Sequence, residues 1–347
     1  MSIYIQSAKQ ISVQKPLSDE WFENPVYYKE PRIHTINPDF TPYFSPILAR
    51  RLCVLLKRAV LLSRLTLKEA SVELPDAIIS GTGLGCLDNV EKFLYSIMDN
   101  DEKFLQPTYF IQSTHNILSS TIAIDLKCHG YNNTFVHRGV SFENALLDAI
   151  LQFEQKRIET ALVGGFEELT NDYYKFFDKL NVWNFKNNEF PKKNCFASEV
   201  AVSMLLGKTK NERSICEIND IELLHKPTFE QIQNALDIIL AKAGCTLDDI
   251  DAVLTGLNSH VENDMIYHNV IDRFFKNSPV LQYKHIFGES FSSSAIGVYV
   301  AVTCLQKGYA PAILSTNNNV KISNVKRILV YNHYRNKSHS LMLLSSI

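Results

Sequence analysis

The chain has 347 residues, 46% hydrophobic and 21% charged, which is ordinary globular composition and excludes a disordered chain. With 35 basic and 37 acidic residues the formal charge is −2, so no basic surplus points to nucleic acid or anionic lipid. The most apolar long stretch, Ile47 to Leu67, is interrupted by Arg50, Arg51, Lys57, Arg58 and Arg64, which excludes a membrane span.

Seven dispersed cysteines, none in a CxxC pair, read as reduced thiols of a cytoplasmic protein. The start, MSIYIQSAKQ, has no basic segment followed by an apolar one, so no signal peptide is expected. The length suits two domains, or one large duplicated unit, at about 150 residues per domain.

Taken in chain order, strand-like and helix-like segments alternate. Ser45 and Pro46 predict a helix start, and Ile47, Leu48, Leu52, Leu55, Leu56, Ala59 and Leu62 continue it at helical spacing. The run AIIS (77–80) predicts a buried strand ending in the glycine-rich turn GTGLG (81–85). A helix is expected from Leu87 to Met98 and another from Ile117 to Leu126. Thr134 to Val136 predicts a short strand, Ser141 to Glu154 a helix, and Thr160 to Val163 a strand running into Gly164-Gly165. Val200 to Leu206 predicts a further strand. The polar segment GKTKNERS (207–214) marks the expected division into residues 1–206 and 207–347.

The second half repeats the theme. Thr228 to Ala243 is amphipathic, and Ala252 to Thr255 predicts a strand ending at Gly256. Ser278 to Leu281 opens another strand, and Ser292 to Leu305 predicts a helix rich in small residues. Ile328 to Tyr331 and Ser340 to Leu344 predict closing strands. This alternation predicts an α/β fold.

Read together, GTGLG (81–85), GGFEE (164–168), FASEVAVSMLL (196–206), DIDAVLTGLNSHVEND (249–264) and YKHIFGESFSSSAIG (283–297) form an ordered set. With the opening strand, this set resembles the β-ketoacyl synthase branch of the thiolase superfamily over nearly the whole chain. The resemblance implies two βαβαβαββ halves in five layers, α-β-α-β-α, and a dimer. It implies acyl transfer through a cysteine at a helix start, two histidines, a lysine and a glycine-rich oxyanion loop.

In this chain those positions are altered. The family's T-A-C-x-S context aligns with Thr134 to Ser141, and the cysteine position falls on Gly139. The first histidine motif, H-G-T-G-T-x-x-N-D, aligns with Gly256 to Asp264. Asn263 and Asp264 match, and the histidine position is Gly256. The second motif, K-x-x-x-G-H, aligns with Lys284 to Glu289. Lys284 and Gly288 match, and Glu289 replaces the histidine. The terminal N-x-F-G-x-G-G stretch aligns from Asn332, and its glycines are gone.

Other residues carry blander readings beside functional ones. Cys86, after GTGLG, is expected to be structural, at a helix start facing the dimer partner. Ser141 lacks a matched histidine base. His137 and Arg138 are expected to fill or rim the vacated pocket, with anion binding as the alternative. His260, His268 and His285 lack metal-ligand spacing, so no metal is expected. GTGLG lacks the third glycine of a dinucleotide fingerprint, so no cofactor is expected. In the resembled family this turn passes beside the acyl tunnel, and Leu84, Leu87, Val90 and Leu94 are the candidate tunnel and interface residues. The i, i+3, i+7 spacing of the last three places them on one helix face.

The resemblance therefore implies a non-catalytic subunit similar to a chain-length factor. Its expected partners are an active ketosynthase, as a heterodimer, and an acyl carrier protein. The strings FIQSTHN (110–116) and HRGVSFENALLDA (137–149) are similar to the short subunits of aryl-polyene and flexirubin-type pigment pathways. Two alternatives stay open. One is an acyltransferase using His137 with Glu289, and the other is a homodimeric acyl-carrier-binding protein.

Overall fold

Most strands of the large sheet have apolar residues on both faces, so the sheet must be covered twice. The computed structural model describes residues 2–180, 182, 195–316 and 320–347. In chain order the strands of the large sheet are β1 (Ile3–Ile11), β2 (Ala77–Gly81), β3 (Tyr131–Phe135), β4 (Thr160–Glu167) and β5 (Val200–Gly207). Then come β6 (Cys216–His225), β7 (Ala252–Thr255), β8 (Val280–Gln282), β9 (Arg327–Tyr334) and β10 (Ser338–Ser346). They lie in the order β3-β2-β4-β5-β1-β6-β10-β9-β7-β8.

That order contains a repeat. In each run of five strands the spatial sequence is third, second, fourth, fifth, first. β2 pairs in parallel with β3 and β4, and β5 runs antiparallel between β4 and β1. β7 likewise pairs in parallel with β8 and β9, and β10 runs antiparallel between β9 and β6. The two runs meet where Ile3 to Ile5 of β1 pair with Cys216 to Ile218 of β6.

The helices are α1 (Pro46–Arg51), α2 (Val54–Ala70), α3 (Leu87–Asp99), α4 (Pro107–Ser113), α5 (Ile117–Leu126) and α6 (Ser141–Glu154). They continue with α7 (Asn171–Lys179), α8 (Phe229–Ala243), α9 (Val261–Phe274), α10 (Lys284–Phe287) and α11 (Ser293–Lys307). Three main cores define five layers. α2 and α5 pack on one face of the first five strands, around Leu55, Leu118 and Leu205. α6 and α11 lie between the two runs of strands, around Phe142, Ala295 and Leu254. α8 and α9 cover the far face of the second five, around Leu236, Val270 and Leu343. α11 is buried along most of its length, which is why small residues dominate it.

Local signals explain several element starts. Ser45 Oγ accepts from Leu48 N at 3.3 Å with Pro46 in the first turn. Thr228 and Gln231 form a reciprocal capping box at the start of α8. The helix expected from Ile47 onward is in fact two. Leu52 and Cys53 are extended, and Cys53 begins α2 afresh. α1 buries none of its residues and Ile47 is exposed, so no core contact holds a single long helix there. Among the described residues no helix is long and apolar enough to cross a membrane.

Candidate active site

The turn between β3 and α6 carries Gly139, the residue that the sequence motif aligns with the resembled family's nucleophile. Ser141 Oγ accepts from His137 N and donates to Arg138 O, both at 2.8 Å. Arg138 takes a left-handed φ of 54° inside this turn. Gly139, next to it, is a glycine for want of space. A Cβ there would stand 2.5 Å from Cδ2 and 2.8 Å from Cγ of Tyr334. Tyr334 ends β9, and its ring meets Phe291 edge-on with centroids 5.9 Å apart. Phe291 in turn meets Phe177 of α7 at 5.6 Å. Leu84 packs partly buried against this cluster. The Arg138 guanidinium lies 5.7 Å over the Phe291 ring, and Arg335 lies 5.6 Å over Tyr334.

His137 and Arg138 are themselves exposed. Arg138 therefore rims the aromatic cluster from outside, and neither residue fills the cavity. The hydroxyl of Ser141 is fully buried and committed to the turn.

Gly256 follows β7, and the same argument holds there. A Cβ would collide with Tyr267 Oη, meet Asn332 Oδ1 at 2.5 Å and lie 3.2 Å from Lys284 Nζ. Tyr267 is buried on α9 and accepts from His333 N at 3.1 Å. Tyr283 Oη donates to Asn332 Oδ1 at 3.3 Å. Asp264 holds the loop after Gly256 by accepting from the backbone N–H groups of Asn258 and Ser259, each at 2.9 Å.

Lys284 and Glu289 sit on either side of Gly288, whose φ of 80° makes the sharp turn between them. Lys284 Nζ donates to Glu289 Oε2 at 2.7 Å, and Asn258 Nδ2 donates to the same oxygen at 2.7 Å. Ser293 Oγ donates to Glu289 Oε1 at 2.9 Å. The ion pair is buried and has hydrogen-bond partners beyond its own contact. Burial works against the Lys284 charge, but Glu289, with Tyr283 and Tyr267, outweighs it and holds the ammonium well above the usual lysine range. A second carboxyl, Glu143 of α6, accepts from Ser294 and Ser340. Burial pushes Glu143 up to about 7, against those bonds and Lys284.

Gly139, Asn258, Lys284, Glu289, Asn332 and Tyr334 line one cavity of about 60 Å³. That holds a few waters, where small-molecule sites span roughly 300–1,000 Å³. The terminal stretch that replaces the family's glycines is packed as well. His333 stacks on His339 at 5.5 Å, and Tyr331 Oη and His339 Nδ1 are 2.9 Å apart. Burial pushes His333 down to about 3 and His339 to about 4.

The GTGLG turn does not line this cavity. Glu167 clamps it, accepting from Gly83 N at 2.6 Å and Leu84 N at 3.0 Å. Burial raises Glu167 to about 8. In α3, Leu87 is buried, Val90 half-buried and Leu94 51% exposed. The three residues thus run from core to solvent and do not form a uniformly buried stripe. Cys86, at the start of α3, packs with α2 in the core and is fully buried. Among the described residues no group of three or more acidic, histidine or cysteine side chains could hold a metal ion. Sequence reasoning missed Tyr334, Glu143 and Asn258. In the alignment from Asn332, Tyr334 falls on the aromatic position of N-x-F-G-x-G-G, so that motif gave no signal for it.

No family model and no curated protein matches the sequence. The solved structures do. The fold is similar to that of the ishigamide ketosynthase/chain length factor, with a TM-score of 0.82 at 13% identity over 100% of this chain and 99% of that one. It is similar to a β-ketoacyl synthase from Burkholderia phymatum, again with a TM-score of 0.82 at 13% identity, over 100% and 99%. It is also similar to the ketosynthase ApeO in complex with its chain length factor ApeC from Xenorhabdus doucetiae, with a TM-score of 0.79 at 14% identity, over 100% and 98%. The chain has the thiolase-like fold of the ketosynthases.

Proposed function

We propose that this chain is a non-catalytic ketosynthase-like subunit of the chain-length-factor type. It pairs with an active ketosynthase, works with an acyl carrier protein and shapes the acyl tunnel of the pair. The observation that carries this reading is the Tyr334 ring standing in the side-chain volume of residue 139. A side chain at 139 must displace the Tyr334 ring, and Gly256 and Glu289 offer no imidazole. Lys284 and Glu289 neutralise one another and are held by Asn258 and Ser293, which leaves neither free for acyl transfer.

Uncovered surface supports the partner reading. β3 is an end strand of the sheet and its outer residues are exposed. Beside it, Leu94, Met98, Phe110, Ile111 and Ile124 of α3, α4 and α5 are exposed apolar side chains. An open strand edge and apolar side chains next to it are both liabilities unless covered. Two of the similar structures are described as ketosynthase and chain length factor together. Co-expression with a cysteine-bearing ketosynthase and its carrier protein tests the reading. The expected result is a one-to-one complex that elongates, with acyl groups on the partner alone. Acyl transfer by this chain in isolation would reverse it.

A further inference from the structure

A cavity of about 780 Å³, within the range of small-molecule sites, opens between residues 32–37, the start of α2, α3 and the start of α7. It shares no lining residue with the cavity beside Tyr334. Thr35, Arg58, Glu168 and Glu199 in its wall are each more than nine-tenths buried. The carboxylates of the wall already have donors. Glu199 accepts from Thr35 N and Leu169 N, each at 3.2 Å, and from Arg58 Nη2 at 3.0 Å. Glu168 accepts from Asp88 N at 3.0 Å, and Glu91 from the Thr170 hydroxyl. Asp88 and Asp172 pair with Lys92 and Lys175. Arg58 is the group left short. Its Nε donates to Asn37 Oδ1 at 2.7 Å and its Nη2 to Glu199, but Nη1 has no acceptor among the described residues. Nη1 is also closed to bulk water, so solvent does not meet its need. A charged donor buried without an acceptor is costly.

We propose that this cavity binds a small polar carboxylic acid whose carboxylate accepts from Arg58 Nη1. What the wall lacks is an acceptor, and a charged one suits a guanidinium best. Arg32, a second guanidinium of the wall, donates to the uncharged Asn171 Oδ1 and Leu169 O, so its charge adds to the attraction. A single negative charge fits better than several, because five carboxyl groups already stand in the wall. Burial holds Glu168 up at about 7, which weakens one of those repulsions. Lys92, Lys175 and Asp172 are exposed and make the outer wall ionic in both signs, so the body of the acid is polar as well. α-Hydroxy acids and α-amino acids meet these conditions. The acid enters from the open side and meets Nη1 once the side chains over it shift. This binding is independent of any role as a partner subunit.

The test is calorimetric titration of the purified full chain with L-lactate and L-serine, each against its own amide, L-lactamide and L-serinamide. The acids should bind, and the amides should bind at least about tenfold more weakly, because the charge-assisted bond is lost. A crystal of the full chain soaked in L-lactate should show the carboxylate on Arg58 Nη1. Arg58→Met should abolish the binding of both acids. The comparison of acid with amide and the soak use the wild-type chain, so they stand even if that variant does not fold. Acid and amide of equal affinity would overturn the proposal. So would an absence of binding by both acids, or a carboxylate seated away from Arg58.

Discussion

Gly139 and Tyr334 divide one volume between them. The Tyr334 ring lies where the side chain of residue 139 would point, 2.5 Å from an ideal Cβ. The two residues are brought together by the turn after β3 and the end of β9, from opposite halves of the chain. A change at one is therefore a change at both.

Gly139→Cys alone should not create a condensing enzyme. The thiol must displace Tyr334 from its packing on Phe291, so overpacking should cost about 1–3 kcal/mol. Adding Tyr334→Ala should relieve the clash, and iodoacetamide should then alkylate the introduced thiol faster than in the single variant. Neither variant should elongate malonyl units, because Gly256 and Glu289 still lack imidazoles. Alkylation rates by peptide mass spectrometry and a product assay check both statements. Equal rates in the two variants would place the obstruction elsewhere.

Incubation with an acylated carrier protein should leave this chain unmodified. Ser141 is buried with its hydroxyl held in the turn, and Cys86 is buried behind α3. Intact-mass spectrometry reads the result. A stable acyl adduct on either residue would overturn the non-catalytic reading.

Much of the layer architecture could be read from sequence because its causes are local. Ser45 with Pro46, and Thr228 with Gln231, sit at the starts of α1 and α8. α5 and α6 run over the residues their periodicity predicts, Ile117 to Leu126 and Ser141 to Glu154. β6 escaped notice because its burial alternates irregularly and ends exposed, so no clean period stands out. α9 was hidden by the charged and polar residues on its outer face. The closure of the site is non-local. Residues 139 and 334 meet only because the strand order brings β9 beside the start of α6, and no spacing rule carries that.

The Lys284–Glu289 pair should behave as a unit. Glu289→Leu leaves a buried ammonium facing Tyr267 and Tyr283 without its carboxylate, at a cost of about 3–5 kcal/mol. Lys284→Met leaves the carboxylate to Asn258 and Ser293, with a cost in the same range. The double variant should lose clearly less than the sum, since neither charge remains. Urea titrations of the four proteins close the cycle. Additive losses would mean the contact contributes no coupling.

Stability should fall as pH rises through neutrality. Burial raises Glu143 to about 7, Glu167 to about 8 and Glu168 to about 7. A carboxyl whose folded pKa lies above its unfolded value favours the fold below the unfolded value. That contribution is lost as pH climbs through the folded one. His333 and His339, pushed down, act in the opposite sense, favouring the fold above about 6.5 and losing that as pH falls. The two effects oppose each other below about pH 6.5, and above it the glutamates alone remain. Denaturation midpoints should therefore drop between about pH 6.5 and pH 8. Glu167→Gln should flatten that slope. A midpoint that rises over this window would contradict the burial of these carboxyls.

The gradient of exposure along α3 separates a role in the fold from a role in the tunnel. Leu87 is buried, so Leu87→Ala should cost about 2–5 kcal/mol in stability. Leu94 is exposed in the single chain, so Leu94→Ala should change stability by no more than about 0.5 kcal/mol. Any effect of Leu94 on product therefore arises in the complex. If α3 lies at the interface and bounds the acyl tunnel there, bulk on its outer face sets how far the chain can grow. Leu94→Ala or Val90→Ala should then lengthen the products of the reconstituted pair, and Val90→Trp should shorten them. Product masses are the readout, with complex assembly checked by size-exclusion chromatography. Products of unchanged length from a fully assembled complex would put the gate on another element and leave α3 as packing alone.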